Sequence, residues 1–327
     1  MIIKMRFGYF FIPVFLIFFF SCLCNLYAQQ ELNPVEKYGR LSFKEGRLRD
    51  ARDNIIVLRG MSLFWSQWQP QFYNEDTVKN LRDFWKVNVV RVAMGIEHGG
   101  YLENPIEEKK KVFNVIEAAI KYGIYVIVDW HDHHAEDHLQ QSKEFFKELS
   151  AKYGQVPNLI YEIYNEPLNV SWTEVLLPYH QQIITTIRKN DSENLIICGT
   201  PNWSQGVLEA SRNPLEGFNL AYTLHFYAGT HSAKLRDQVS EALKTGMPIF
   251  VTEFGTTHAD GDGQVFYKES NIWLDFMTKN QISWCNWSIS NKAEASSALL
   301  PQSASSDLNN PRYFSESGYF IYNRLTH

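Results

Sequence analysis

A closed (β/α)8 barrel is the fold this 327-residue sequence predicts, and two patterns predict it. Eight apolar runs of strand length alternate with helical stretches along the chain. The same runs end in polar or aromatic residues, which a barrel gathers at one face, the C-terminal ends of its strands. An open, doubly wound sheet is the rival; it usually carries a Gly-rich phosphate turn after an early strand, and none is seen here.

The N-terminus reads differently from the rest. Lys4 and Arg6 precede an almost unbroken apolar run from Phe7 to Cys24, followed by Leu26-Tyr27-Ala28 and the polar Gln29-Gln30-Glu31. That order predicts a secretory signal peptide over residues 1–28. A retained membrane anchor, or a lipid attached at Cys22 or Cys24, is the alternative, and each version carries the remaining chain out of the cytoplasm. Residues 29–327 are then one domain, because no Ser/Pro/Thr-rich linker interrupts them. A net charge of −5 supplies no basic stripe for nucleic acid. Cys198 and Cys285, each in an apolar run, are expected as buried free thiols, which excludes a disulfide scaffold. A monomer is the default expectation.

The elements follow in order. Tyr38 to Asp50 alternates around glycines and leads to Asp53-Asn54, predicting a hairpin laid over one end of the domain. The strands are predicted at Ile55 to Met61, Val87 to Met94, Ile124 to Trp130, Asn158 to Tyr164, Asn194 to Gly199, Leu220 to His225, Pro248 to Glu253 and Ile282 to Ile289. Helices are predicted at Thr77 to Trp85, Glu107 to Tyr122, Leu139 to Tyr153, Trp172 to Lys189, Ser232 to Thr245 and Phe266 to Lys279. The fifth connection, Ser204 to Arg212, is short, and Tyr313 to Arg324 closes the series.

Two strand ends carry the chemistry. Asn158-Leu-Ile-Tyr-Glu-Ile-Tyr-Asn-Glu-Pro167 runs apolar into Asn165-Glu166 and stops at Pro167, which has no amide proton for a ladder. Pro248-Ile-Phe-Val-Thr-Glu-Phe-Gly255 repeats the design with Glu253. Two carboxylates at the same end of two strands are what glycoside cleavage requires: Glu166 as acid/base and Glu253 as nucleophile, roughly 5–5.5 Å apart in a retaining enzyme. The other strand ends add Ser62 with Trp65 and Trp68, then Arg91, His131, Trp203, His225 with Tyr227, and Trp287. Arg91 interrupts an apolar run and needs a buried partner; it is expected to hold Glu253 ionised. Glu166, in a less cationic pocket, is expected to keep its proton. Asn165 is expected on the sugar 2-hydroxyl, with His225 and Tyr227 orienting the carboxylates. A bell-shaped rate profile on the acidic side of neutral follows. Aromatic residues make up 15% of the chain, and many adjoin polar loop residues, where flat rings can stack on a flat ligand.

These residues resemble glycoside hydrolase family 5, within the clan of retaining (β/α)8 glycosidases, and specifically its bacterial endo-β-1,4-glucanases. The resemblance runs from about Val35 to the C-terminus. It rests on Arg-Gly-Met-Ser at 59–62, Val-Val-Arg-Val-Ala-Met at 89–94, Val-Asp-Trp-His at 128–131, Ile-Tyr-Glu-Ile-Tyr-Asn-Glu-Pro at 160–167, Leu-His-Phe-Tyr-Ala-Gly at 224–229, Val-Thr-Glu-Phe-Gly at 251–255 and Asn-Trp-Ser-Ile-Ser-Asn-Lys at 286–292. It implies Glu166 and Glu253 in the roles above, with Arg91, His131, Asn165, His225 and Tyr227 around the cleaved bond. Trp287 would lie beneath the glucose on the non-reducing side, and Trp68, Trp203, Tyr101 and Lys292 would contact neighbouring sugars. Phe64 departs from the pattern, since relatives often carry histidine there, and Phe254 stands where many have tryptophan. The choice of a β-1,4-glucan polysaccharide as substrate comes from the resemblance alone.

Other signals point elsewhere with less force. His131-Asp-His-His-Ala-Glu-Asp-His138 could ligate zinc, copper or nickel, but it lacks the His-Glu-x-x-His helix that presents ligands on one face. No metal or cofactor is therefore expected. Asp260-Gly-Asp-Gly263 lacks the remaining ligands of a calcium loop and reads as a turn. A non-catalytic carbohydrate-binding protein would use the tryptophans without needing two strand-end glutamates.

Overall fold

The computed structural model describes residues 1–4, 8 and 32–327. Apart from residues 1–4 and 8, the predicted signal segment lies outside the described residues. A short helix α1 (Pro34–Tyr38), not expected from the sequence, opens the domain and is capped reciprocally by Asn33 and Glu36. The hairpin is present as β1 (Ser42–Lys44) and β2 (Arg47–Arg49), paired antiparallel.

Eight parallel strands then close into a barrel: β3 (Arg59–Leu63), β4 (Val89–Gly95), β5 (Tyr125–His131), β6 (Leu159–Glu162), β7 (Ile196–Cys198), β8 (Leu220–Tyr227), β9 (Ile249–Gly255) and β10 (Trp284–Ile289), with β10 pairing back onto β3. Nearly every strand residue is buried, because helices cover the outside while side chains fill the inside. Helices α2 (Glu75–Asp83), α3 (Pro105–Tyr122), α4 (Leu139–Tyr153), α5 (Leu177–Arg188), α6 (Pro201–Ser204), α7 (Val207–Ala210), α8 (Ala233–Lys244), α9 (Tyr267–Lys279) and α10 (Glu316–Thr326) fill the connections. In α3 the buried stripe Val112, Val115, Ile116, Ala119 has the helical period, and Gly123, at φ +66°, ends the helix in the left-handed region.

Two elements differ from expectation for local reasons. The stretch from Ile55 does not begin the first barrel strand: Ile56 donates its N–H to the hairpin at Leu48 O, 2.9 Å, so the strand starts later, at Arg59. The long helix expected from Trp172 is a π-helical turn, Trp172–Leu176, followed by α5, whose first turn contains Pro178; proline removes an amide donor and prevents an unbroken ladder.

Side chains alternate along the regular stretches of the strands, so the barrel interior is layered. The lowest layer is apolar: Leu41 and Leu48 of the hairpin region pack with Leu58, Val89, Ile127, Ile160, Ile197 and Phe250. The hairpin therefore seals the N-terminal end of the barrel. Cys198 and Cys285 are buried free thiols, and burial pushes both up from the ordinary thiol range. Above the apolar floor lies a polar layer, and above that the mouth.

Candidate active site

Arg91 sits in the polar layer, fully buried on β4, and explains why a barrel tolerates charge there. It bonds three carboxylates from three other strands: Asp129 at 2.9 Å, Glu162 at 2.7 Å and Glu253 at 2.8 Å. Its Nη2 also donates to Asn165 Oδ1 at 2.7 Å. The arginine is thus shared, where the sequence reading gave it Glu253 alone. Five donors in a planar fork make such sharing possible.

One cation cannot hold three buried anions at their ordinary acidity, and the consequences divide among them. Burial and the carboxylates of Glu162 and Glu253 push Asp129 well up, against the pull of Arg91. Asp129 Oδ2 meets His131 Nδ1 at 2.6 Å. Burial and Arg91 push His131 well down, which leaves this imidazole neutral, clamped by Asp129 and facing the mouth. Glu253 is also raised: burial and the neighbouring Glu166 outweigh His225, Arg91 and the Tyr227 hydroxyl, which donates to Glu253 Oε1 at 2.7 Å. The sequence reading expected Arg91 to lower Glu253, and the crowd of carboxylates reverses that sign. Gly255 lets the Tyr227 ring reach this contact, since a Cβ there would meet the ring at 2.1 Å.

Glu166, just beyond β6, stands between two imidazoles. His225 Nδ1 lies 2.9 Å from Oε1 and His133 Nε2 lies 3.1 Å from Oε2. Burial pushes Glu166 up, but the hydrogen bonds and charges of His133 and His225 prevail and hold it at about 2. His225 moves the other way: burial lowers it, and the carboxylates of Glu253, Glu162 and Glu166 raise it to about 9. The pocket is therefore more cationic than expected, and in the free site the proton belongs to the Glu166–His225 pair, resting on the imidazole side. Coupled groups titrate as a pair.

Glu166 and Glu253 meet across the mouth: with His225 they offer oxygen and nitrogen atoms that all lie within 4.8 Å of one another. Two hollows flank this point. One, of about 220 Å3, is lined by Phe64, Trp65, Trp68, His131, Glu253, Trp287 and Lys292. The other, of about 400 Å3, is lined by Trp203, Gln205, His225 and His231. Glu166 and Tyr227 border both, so the two are halves of one cleft.

The aromatic residues build its walls. Trp287 stacks on His131 at 5.4 Å and 3°, and packs on Phe64 at 5.0 Å, while Trp65 stacks on Trp68 at 4.9 Å. Phe64, where the resemblance led one to expect histidine, continues this apolar floor, with Lys292 Nζ 5.4 Å from its ring. At the other end, Trp203 is 48% exposed on a left-handed turn: Asn202, Trp203 and Ser204 all have φ near +55°. That conformation is strained for L-residues. It is held by Trp203 N–H to Pro167 O at 2.8 Å and Ser204 Oγ to Asn165 O at 2.6 Å, which tie the tryptophan to the Glu166 loop.

Tyr101 is the predicted contact that the fold does not bring here. It is 8% exposed, and its ring packs edge-on against Trp130 and Phe145 in the core. Asp129, His133, Glu162 and Thr252 belong to the site, although the sequence reading assigned none of them a role in glycoside cleavage. Asp129 and Glu162 had a usable signal, because a buried arginine demands acids at its own level, and these two lie inside neighbouring apolar runs.

The histidine-rich loop is divided among separate partners: His131 on Asp129, His133 on Glu166 and His138 on Asp132 at 2.8 Å. His134, with Glu97 and Asp132, is the loop's one grouping among the described residues whose donor atoms could surround an ion.

The chain matches the family model described as "Cellulase (glycosyl hydrolase family 5)" over residues 49–293. It is 50% identical over 248 residues to "Endoglucanase Z" of Dickeya dadantii, covering 75% of this chain and 58% of that protein. It is 44% identical over 292 residues to "Endoglucanase N" of Pectobacterium atrosepticum, covering 88% and 66%. The chain thus spans between half and two thirds of the length of these curated relatives. A solved structure from Cytophaga hutchinsonii superposes with a TM-score of 0.89 at 47% identity, covering 90% of this chain and 96% of that one. The Thermobifida fusca endoglucanase catalytic domain, solved as a variant with cellotetraose, superposes at 0.87 with 30% identity, covering 90% and 100%. A matched model spanning most of the chain, on a barrel whose mouth carries a glutamate pair, places this protein in glycosyl hydrolase family 5.

Proposed function

We propose that this protein is a retaining, endo-acting glycoside hydrolase that cleaves β-1,4-glucosidic bonds in cellulose or related β-glucans. The observation that carries the reading is the approach of one carboxylate oxygen of Glu166 to within 4.8 Å of one of Glu253 at the centre of a cleft open on both sides. That approach favours direct attack on the sugar over the wider spacing that makes room for an inverting enzyme's water. Glu253 forms a bond to the anomeric carbon while the glycosidic bond's electron pair leaves with its oxygen, which takes the proton from Glu166. Water then displaces Glu253 and returns a proton to Glu166. Asn165 Nδ2 is buried without a protein partner, so it is the donor available to the sugar 2-hydroxyl. His131 and Trp287 bound the sugar on the Glu253 side, and Trp68, Lys292 and Trp203 contact sugars farther along. The charged, apolar-led N-terminus supports export, with the enzyme acting as a monomer outside the cytoplasm.

Proton NMR of fresh product tests the mechanism, with β-anomer expected first. Initial α-anomer would mean inversion. Product sizing on carboxymethylcellulose, lichenan, xyloglucan, mannan and xylan tests the substrate; rapid loss of chain length on the β-glucans is expected, and activity confined to mannan or xylan would overturn the glucan assignment.

The rate should be bell-shaped in pH, with limbs farther apart than two ordinary carboxylates would give, so the profile is not confined to the acidic side of neutral where the sequence placed it. Below the raised pKa of Glu253 the nucleophile is protonated. As pH rises through about 9, the Glu166–His225 pair loses the proton that the acid step needs. A kcat/KM profile with its alkaline limb below pH 7 would contradict the shared proton.

A further inference from the structure

Strand β9 carries one residue more than either neighbour. On β8, Thr223 and His225 are two residues apart, yet they pair with Phe250 and Glu253. On β10, Trp284 and Asn286 pair with Val251 and Phe254. This bulge breaks the alternation of faces, so consecutive residues, Thr252 and Glu253, both point into the barrel.

Thr252 is fully buried there. Its Oγ1 lies 2.7 Å from Glu162 Oε1 and 2.9 Å from His225 Nε2, and it also meets the Thr223 hydroxyl. A hydroxyl has one proton to give and two lone pairs to offer. Glu162 is gripped by Arg91 through Nε at 2.7 Å and Nη2 at 3.2 Å, which keeps it an anion and an acceptor. Thr252 therefore donates to Glu162 and accepts from Thr223 and from His225. His225 Nε2 must then carry hydrogen.

The other ring nitrogen faces Glu166 at 2.9 Å. With Nε2 protonated throughout, one further proton lies at the Nδ1–Oε1 contact. It makes either imidazolium and carboxylate, or imidazole and carboxylic acid. The opposite tautomer would satisfy a Glu166 carboxylate with a neutral ring's own N–H, leaving no proton to donate. The charged or titratable groups facing His225 are Glu166, Glu162 and Glu253, with His131 nearby.

We propose that Thr252, backed by Glu162, is a positioning residue that fixes the tautomer of His225 and so keeps the proton for the leaving oxygen between His225 and Glu166. The inference rests on reading Glu166 as the acid. In the step it serves, that proton passes to the glycosidic oxygen as the oxygen takes the bond's electron pair and Glu253 bonds to the anomeric carbon.

Leaving groups separate this role from a merely structural one. A sugar alcohol needs the proton, whereas dinitrophenolate departs without it. Thr252→Val should slow cello-oligosaccharide cleavage by about 100-fold, at the lower end of general acid contributions, while attack on a dinitrophenyl β-cellobioside falls by less than about 5-fold. Thr252→Ser, which restores the hydroxyl, should recover most of the oligosaccharide rate. Equal losses on both substrates, or an oligosaccharide rate unchanged in Thr252→Val, would overturn the proposal. Should Thr252→Val fail to fold, nitrogen-15 NMR of His225 in the wild-type enzyme, followed up through about pH 9 to where the ring is neutral, gives the answer directly: a hydrogen kept on Nε2 supports the proposal, and a neutral ring with its hydrogen on Nδ1 ends it. Glu166→Ala is the control for the underlying reading. If that variant loses neither rate selectively, Glu166 is not the acid; if it discriminates while Thr252→Val does not, only the tautomer role fails.

Discussion

Glu253→Ala is expected to lower turnover of β-glucan by on the order of 10^5- to 10^6-fold, as loss of a covalent nucleophile does elsewhere, while the protein stays folded. The two halves of that expectation come from one geometry. Glu253 is the carboxylate that reaches the mouth from β9, held by Tyr227 and Arg91 toward the gap it shares with Glu166. It is also one of three acids on a single guanidinium, and its raised pKa shows that its charge is costly to keep. Its removal relieves that crowding, so the melting temperature should hold or rise. Azide provides the chemical check. In Glu253→Ala, azide attacking from the vacated side should give an α-glycosyl azide from an activated β-glycoside. A β-glycosyl azide would assign the nucleophile elsewhere.

Arg91→Met is expected to cost stability rather than activity alone. Asp129, Glu162 and Glu253 would lose the cation bonded to all three, and breaking a buried ion pair by removing one partner costs about 3–5 kcal/mol. Urea unfolding would show this as a lower midpoint at neutral pH. The sign of its pH dependence follows from the chemistry. Uncompensated buried carboxylates have folded pKa values above their unfolded ones, which favours the folded state at low pH and penalises it as pH rises. The deficit should shrink toward pH 4. Arg91→Lys should not rescue it, because one ammonium cannot span three carboxylates and Asn165 as the planar fork does. A variant as stable as wild type at neutral pH would show that these acids are already neutral.

The barrel was legible because parallel strands covered on both faces are written as continuous apolar runs, and each run here is followed by a helical stretch. The same regularity exposed Glu166 and Glu253, since a polar residue closing such a run has one place to go. Trp68, Trp203 and Trp287 were placed by the same rule. Tyr101 was not, because an aromatic ring in a loop after β4 serves the core or the cleft equally well on paper; packing against Trp130 and Phe145 decided it.

Strand ends and carboxylate positions are local properties, carried by periodicity within some ten residues, and chain order alone suffices to read them. Protonation is not local. Glu162, Asp129 and Glu253 come to Arg91 from three other strands, and His133 and His225 reach Glu166 from two different loops or strands. Which carboxylate is raised and which is lowered therefore depended on distances that only barrel closure creates. The bulge that turns Thr252 inward is of the same kind, because an extra residue exists only relative to the register of its neighbours.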